Sequence, residues 1–251
     1  VFVELTDEEA LPRLLDSARP DAVVHAAALA QAGHCQERPD EALRINAVLP
    51  GTLGGLCRER GLRLVSLSTD LVFRGDRTFV QEDDDAAPLS VYGRTKLAGE
   101  EALLAAHPSA AVTRVALALG HGHGARGTST ESVAWALRAG HAVPLFTDEY
   151  RTPVDPESVA DALVRLLERG GAGRFHLGGP ERLSRHELGL RVARIFGLPD
   201  SRITAIPLSA HVGPDPRAAD VSLDSTRARR ELGWEPRPLD EAIREGRSGP
   251  G

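Results

Sequence analysis

Tyr92 and Lys96 stand four residues apart in the run YGRTK, and no other pair in the chain is better suited to moving a proton. On a helix, positions i and i+4 share one face. A free phenol with a pKa near ~10 is a poor acid at neutral pH; an adjacent ammonium favours the phenolate and moves that pKa toward the working range. Such a pair can protonate a carbonyl oxygen. The same spacing also occurs on ordinary surface helices, so the pair needs support from elsewhere. It comes from LSTDLVF, where Ser68, Thr69 and Asp70 fall at the C-terminal end of an expected parallel strand, the place where open α/β sheets form ligand sites. The alternative is that these three residues only turn the chain through side-chain to backbone bonds.

The surrounding elements alternate. Helical periodicity covers Leu11 to Ala18, Asp40 to Arg60, Val91 to His107 and Glu131 to Ala139, and short apolar runs between them read as strands at Asp21 to His25, Leu62 to Ser68, Ala111 to Leu119 and Ala142 to Phe146. Asp155 as N-cap with Pro156 in the first turn predicts a helix to Arg169, followed by a strand from Gly173 to Leu177. Ser184 with Glu187 three residues on is a capping box for a helix from Arg185 to Phe196. This order predicts a doubly wound, Rossmann-type parallel sheet of the α/β class. The expected division assigns 1–120 and 153–178 to a dinucleotide-binding core, and 121–152 and 179–251 to a small α/β substrate-binding part.

Composition narrows the function. The net charge is -6, and the 30 Lys and Arg are scattered, which leaves no footprint for nucleic acid or an anionic membrane surface. No apolar run approaches the ~20 residues of a spanning helix, and no leader pattern opens the chain, so a cytoplasmic setting is expected. Cys35 and Cys57 have neither disulfide-framework nor zinc spacing, and no metal is expected.

Taken together, HAAALA (25–30), INA (45–47), SLSTDLVFRG (66–75), APLSVYGRTKLAGEE (87–101) and LGW near the end resemble an extended short-chain dehydrogenase/reductase, most closely the RmlD-like, dTDP-4-dehydrorhamnose reductase family. The resemblance implies that NADPH or NADH passes a hydride to C4 of a nucleotide-linked 4-keto-6-deoxy sugar while Tyr92 protonates the oxygen. It makes Tyr92, Lys96 and Thr69 the catalytic set, with Lys96 on the nicotinamide ribose. Glu4 and Leu5 would lie beside the adenine, Ala26, Ala27, Ala28, Leu29 and Ala30 would pass under the cofactor, and Leu67 would line its nicotinamide half. Thr69, Asp70, Leu117, Arg151 and Thr152 would face the substrate. His25 replaces the asparagine common in relatives. A homodimer is among the assemblies allowed. Two other readings of the same fold stay open: a noncatalytic subunit similar to the beta subunit of methionine adenosyltransferase, and an NAD-dependent epimerase or dehydratase.

GHGARG (122–127) matches the G-x-G-x-x-G dinucleotide fingerprint, yet it follows the strand after the Tyr92 helix, whereas the resemblance puts the fingerprint on the first strand-to-helix turn. It reads as a glycine-rich loop, as a loop that meets the substrate diphosphate through Arg126, or as a true cradle. The chain has no methionine, not even at position 1. Matching HAAALA to a complete relative implies that roughly 30 to 40 residues, carrying the first strand and glycine-rich turn, are missing. A sheet edge and apolar surface would then lie uncovered.

Overall fold

In the computed structural model, residues 3–7, 9–120, 128–213 and 215–245 are described, and the GHGARG segment with Arg126 lies outside them. Helix α1 (Ala10–Ala18) leads into strand β1 (Ala22–His25). Next come α2 (Ala32–Glu37), α3 (Pro39–Leu43), a π-helical turn (Arg44–Val48), α4 (Leu49–Glu59) and β2 (Arg63–Thr69). Helix α5 (Val91–Ala106) returns the chain to β3 (Ala111–Val115). After α6 (Ser129–Arg138), β4 (Val143–Phe146) and β5 (Tyr150–Arg151), helix α7 (Pro156–Arg169) leads to β6 (Gly173–Leu177). The remainder is β7 (Leu183–Ser184), α8 (Arg185–Phe196), β8 (Ile203–Ile206), α9 (Thr226–Leu232) and α10 (Leu239–Glu245).

The main sheet is parallel throughout, in the order β1-β2-β3-β6. Because alternate residues of a strand face opposite ways, Leu64 and Val112 pack under α4 and α5 with Leu53, Cys57 and Leu103, while Val65 and Ala111 pack under α7 with Ala162 and Leu166. Helices thus cover both faces, which is the doubly wound arrangement. As described, β1 forms one edge of the sheet, and Val24 on it is 43% exposed.

A second core joins α6, α8 and α10 through Val133, Leu137, Leu188, Val192, Leu239 and Ile243. The sequence division put all of 179–251 with this part. Instead Val221, Leu223, Ala228, Leu232 and Trp234 pack into the first core, and the Trp234 indole donates to Ser158 O at 2.7 Å. The aromatic is buried there because its one donor is satisfied.

Two expected elements differ in extent. The strand from Ala111 ends at Val115, because the chain then leaves the sheet: Leu117 O accepts from Val154 N, Leu119 N donates to Val154 O, and Leu119 enters the second core. The strand at 143–146 pairs with β8 in a separate two-stranded ribbon. The expected helix 40–60 is interrupted by the π turn. Pro50 has no N–H to return to the Asn46 carbonyl four residues back, and widening the turn lets the chain continue past it. Helix α2 had no clear periodic signal.

Glycines bring α5 close to its neighbours. A Cβ on Gly93 would lie 2.3 Å from Leu71 O, and one on Gly99 would lie 2.0 Å from Asn46 O, both far inside contact distance. Only glycine lets the helix that carries Tyr92 and Lys96 sit this low on β2 and on the π turn.

Candidate active site

Helix α5 begins where the site begins. Ser90 caps it by accepting from Gly93 N at 3.0 Å, so Tyr92 falls in its first turn, above the end of β2. From there successive turns of α5 meet successive residues of the strand end. The Thr69 side chain lies close enough to Tyr92 to ease ionisation of the phenol. Lys96 Nζ donates to Leu67 O at 2.7 Å. One turn later Glu100 Oε1 accepts from Ser68 Oγ at 2.5 Å.

The Thr69 hydroxyl donates to Asp70 Oδ1 at 3.1 Å and accepts from Leu71 N at 3.2 Å. It therefore ties the strand end beside the phenol to a buried carboxyl. Burial pushes Asp70 up to about 6, against the pull of Arg151, whose Nε lies 3.8 Å from Oδ2. That oxygen has no hydrogen-bond partner among the described residues. Burial also raises the Tyr92 pKa above its ordinary value, and the charge on Asp70 adds to the rise.

This corrects one expectation. Lys96 and Tyr92 do share a face of α5, but the lysine chain crosses to the Leu67 carbonyl, and the charge that acts on the phenol is Asp70. Tyr92 is therefore a protonated phenol across the neutral range. Lys96 itself is brought down to about 8 by burial, which Glu100 partly offsets.

The small-residue run after β1 lies open beside this pair: Ala26, Ala28 and Ala30 are exposed, Ala27 and Leu29 half-buried. Its backbone is clamped by Asn46, whose Oδ1 accepts from Leu29 N at 2.9 Å and whose Nδ2 donates to Leu29 O at 3.0 Å and to Thr95 Oγ1 at 3.2 Å. Leu67 is half-buried at the same strand end. Leu5 lines a separate cavity of about 100 Å³ with Leu11, Arg44, Val48 and Thr52. The neighbouring Glu4 carboxylate accepts from Thr6 N and Oγ1, at 3.1 and 2.8 Å.

On the other side, a cavity of about 110 Å³ is lined by Leu71, Ser90, Arg151, Asp215, Arg217 and their neighbours. Glu149 organises it: Arg151 NH2 donates to Oε1 at 2.9 Å, and Arg217 bonds both carboxylate oxygens at 2.8 and 2.9 Å. Of the residues expected to face substrate, Arg151 lines this cavity and lies 3.8 Å from Asp70, to which Thr69 donates. Thr152 is elsewhere, fully buried, with its hydroxyl taken up by Leu223 N at 3.1 Å. Leu117 packs against the second core. Arg126 lies outside the described residues.

Asn46, Glu100 and Glu149 were not singled out from the sequence as site residues. Asn46 was visible only as part of INA, and Glu100 as the end of KLAGE at i+4 from Lys96. Glu149 carried no signal, because the partner that fixes both its oxygens, Arg217, is distant in the chain.

His25 lies at the end of β1, paired in register with Ser66; its Nε2 is buried with no hydrogen-bond partner among the described residues. Burial, and then the Lys96 ammonium, lower its pKa from 6.5 to about 4. A histidine whose folded pKa is depressed binds fewer protons than in the unfolded chain, so its contribution to stability is lost as the pH falls from 6.5 toward 4. Asp70, raised from 3.8 to about 6, works in the opposite direction over much of the same window. Replacing His25 with Asn is therefore expected to flatten the acid-side decline of the melting temperature between these pH values. Parallel declines in variant and wild type would exclude His25 as its source.

Residues 2–246 match the family model described as the RmlD substrate binding domain. The chain is 31% identical over 248 residues to a protein named probable low-salt glycan biosynthesis reductase Agl14 from Haloferax volcanii, covering 96% of this chain and 81% of that one. It is 33% identical over 229 residues to dTDP-4-dehydrorhamnose reductase from Mycolicibacterium smegmatis, covering 90% and 68%. Among solved structures, a hypothetical dTDP-4-dehydrorhamnose reductase from Sulfolobus tokodaii superposes with a TM-score of 0.85 at 28% identity, over 96% of this chain and 85% of that one. No helix among the described residues is long and apolar enough to cross a membrane, and no group of His, Cys, Asp or Glu there could hold a metal ion.

Proposed function

We propose, for a chain that belongs to the RmlD substrate binding domain family, that it reduces a nucleotide-linked 4-keto-6-deoxy sugar with NADPH or NADH. The observation that carries this reading is the grouping of Tyr92, Thr69 and Asp70 at the C-terminal end of β2, with the buried Lys96 ammonium on the same helix and an exposed run of small residues after β1.

The donor set suits the nicotinamide half of such a cofactor. An ammonium has three N–H donors, and the hydrogen bond found for Lys96 goes to Leu67 O, so donors remain for a ribose hydroxyl. Ala26 to Ala30 let a flat ring approach the backbone closely. Leu5 and Glu4, at the 100 Å³ cavity beside α4, are the residues proposed for the adenine end. The cofactor, when bound, supplies the hydride. Tyr92 gives its proton to the oxygen that becomes the hydroxyl, and Thr69 keeps the phenol aimed. Asp70 holds the phenol in its acid form. Arg151, in the cavity of about 110 Å³, is proposed to meet the substrate together with Thr69 and Asp70.

The cytoplasm is the proposed setting, which agrees with two buried, unpaired thiols, Cys35 and Cys57. The test is an assay of NADPH oxidation with dTDP-4-dehydrorhamnose as acceptor. Turnover above the no-sugar control is expected. Cofactor binding without turnover would replace this reading with the noncatalytic one.

A further inference from the structure

Glu100 is a fully buried carboxylate that the proton path does not use, yet it is the most heavily bonded group near it. Arg114 on β3 donates Nε to Oε1 at 3.1 Å and NH2 to Oε2 at 2.8 Å. Arg174 on β6 donates Nε to Oε2 at 2.9 Å. Ser68 on β2 donates its hydroxyl to Oε1 at 2.5 Å. One side chain of α5 thus reaches three neighbouring strands of the sheet, immediately behind Lys96 and Thr69.

We propose that Glu100 is a positioning residue for the Tyr92 and Lys96 pair: its carboxylate fixes α5 on the end of β2 through Ser68 and supplies the negative charge that the buried Lys96 ammonium faces.

The argument rests on register. Leu67 and Ser68 are consecutive, and they bond Lys96 and Glu100, which lie on successive turns of α5. A helix can slide or rotate on a strand while keeping one such bond. Keeping both holds its height and its rotation together, so the ammonium and the phenol keep one placement relative to Thr69. Gly99, whose Cβ would strike Asn46 O, is what lets α5 descend far enough for Glu100 to reach β2. Arginines meet the carboxylate from β3 and β6, and a buried ammonium is less costly when an anion faces it.

The charged and titratable groups around the pair are few. Lys96 faces Glu100 on its own helix and His25 on β1. Glu100 faces Arg114 and Arg174, and His176 Nε2 lies 3.4 Å from Arg114 NH1. His176 is lowered to about 3, first by burial and then by Arg114, and so stays neutral through the range that matters.

The test follows the Lys96 Nζ resonance by NMR as a function of pH, in the full chain without ligand. Glu100→Gln keeps the shape and removes the charge; its Lys96 midpoint is expected to move down from the wild-type value by about one pH unit. Glu100→Asp keeps the charge and loses the reach to Ser68; its midpoint is expected to stay near that of the wild type. Equal midpoints in all three proteins, or equal shifts in both variants, would overturn the electrostatic half of the proposal.

Ser68→Ala leaves every charge in place and serves also if Glu100→Gln does not fold. Fluorescence titration with NADPH is expected to show several-fold weaker binding to Ser68→Ala than to wild type, and unchanged affinity would overturn the positioning half. Only this binding arm relies on the function proposed above. The titration arm decides the electrostatic claim even for a chain that binds no NADPH, so the two ideas fail separately.

Discussion

Replacing Tyr92 with Phe is expected to lower turnover by about 10²- to 10⁴-fold, the usual range for losing a positioned general acid, while NADPH affinity changes little. The reasoning is local. Phenylalanine keeps the half-buried ring between α5 and the strand end and removes only the hydroxyl. Thr69 retains its bonds to Asp70 and Leu71, so the neighbouring groups stay in place. What disappears is the hydroxyl that carries the transferable proton. Burial and Asp70 keep the phenol protonated across neutral pH, so the proton is in place for carbonyl reduction, where the oxygen gains a proton as the carbon gains a hydride; the same shift makes the phenol a weaker acid than a free one. Steady-state rates for wild type and Tyr92→Phe check this, with melting temperatures as the folding control. A variant that turns over within a few-fold of wild type would remove Tyr92 from the proton path.

The largest stability effect is expected at Arg114. Its side chain is 2% exposed, bonds both oxygens of Glu100, donates to Glu82 O at 3.3 Å and lies 4.9 Å over the Phe73 ring. Arg114→Leu fills much of the same volume but strips a buried carboxylate of its main partner; besides the Ser68 hydroxyl there remains the cation Arg174, whose side chain is 31% exposed to solvent. Breaking one side of a buried ion pair typically costs about 3–5 kcal/mol, because the surviving charge is left in a medium that solvates it poorly. For a chain of this size that lowers the melting temperature by roughly 10 °C. Adding Glu100→Gln is expected to recover part of the loss, since the stranded charge is then gone. Thermal or urea unfolding of the single and double variants checks both statements. A single-variant loss below about 1 kcal/mol, the level of an exposed pair, would show that the network is not under the strain its burial implies.

The sequence carried the fold further than it carried the site. The order of strands and helices, the Asp155 and Ser184 caps and the helix from Val91 follow from periodicity and capping chemistry, both of which act over a few residues. The π turn did not, because a proline within a helical run can end the helix, kink it or widen one turn, and periodicity does not say which. The end of β3 at Val115 did not either, since it is set by where the second core draws the chain.

In the site, Tyr92, Lys96, Thr69 and Asp70 were legible as residue types at useful spacings. Their electrostatics were not: spacing put the ammonium and the phenol on one face of a helix, and only the folded arrangement turned Lys96 to Leu67 O and left Asp70 as the charge beside the phenol. Thr152 and Leu117, suggested by family likeness, are held by Leu223 N and by the second core. A likeness transfers positions along a chain, whereas the direction of a side chain depends on what packs next to it.

The most direct test of the account is isotopic. Wild-type protein is given NADPH carrying deuterium at the transferable position and a nucleotide-linked 4-keto-6-deoxy sugar, and the product is examined by mass spectrometry and NMR. The account predicts one deuterium on the former carbonyl carbon, formed far more slowly by Tyr92→Phe. Recovery of the keto sugar without label, from protein that is folded and saturated with NADPH, would contradict it.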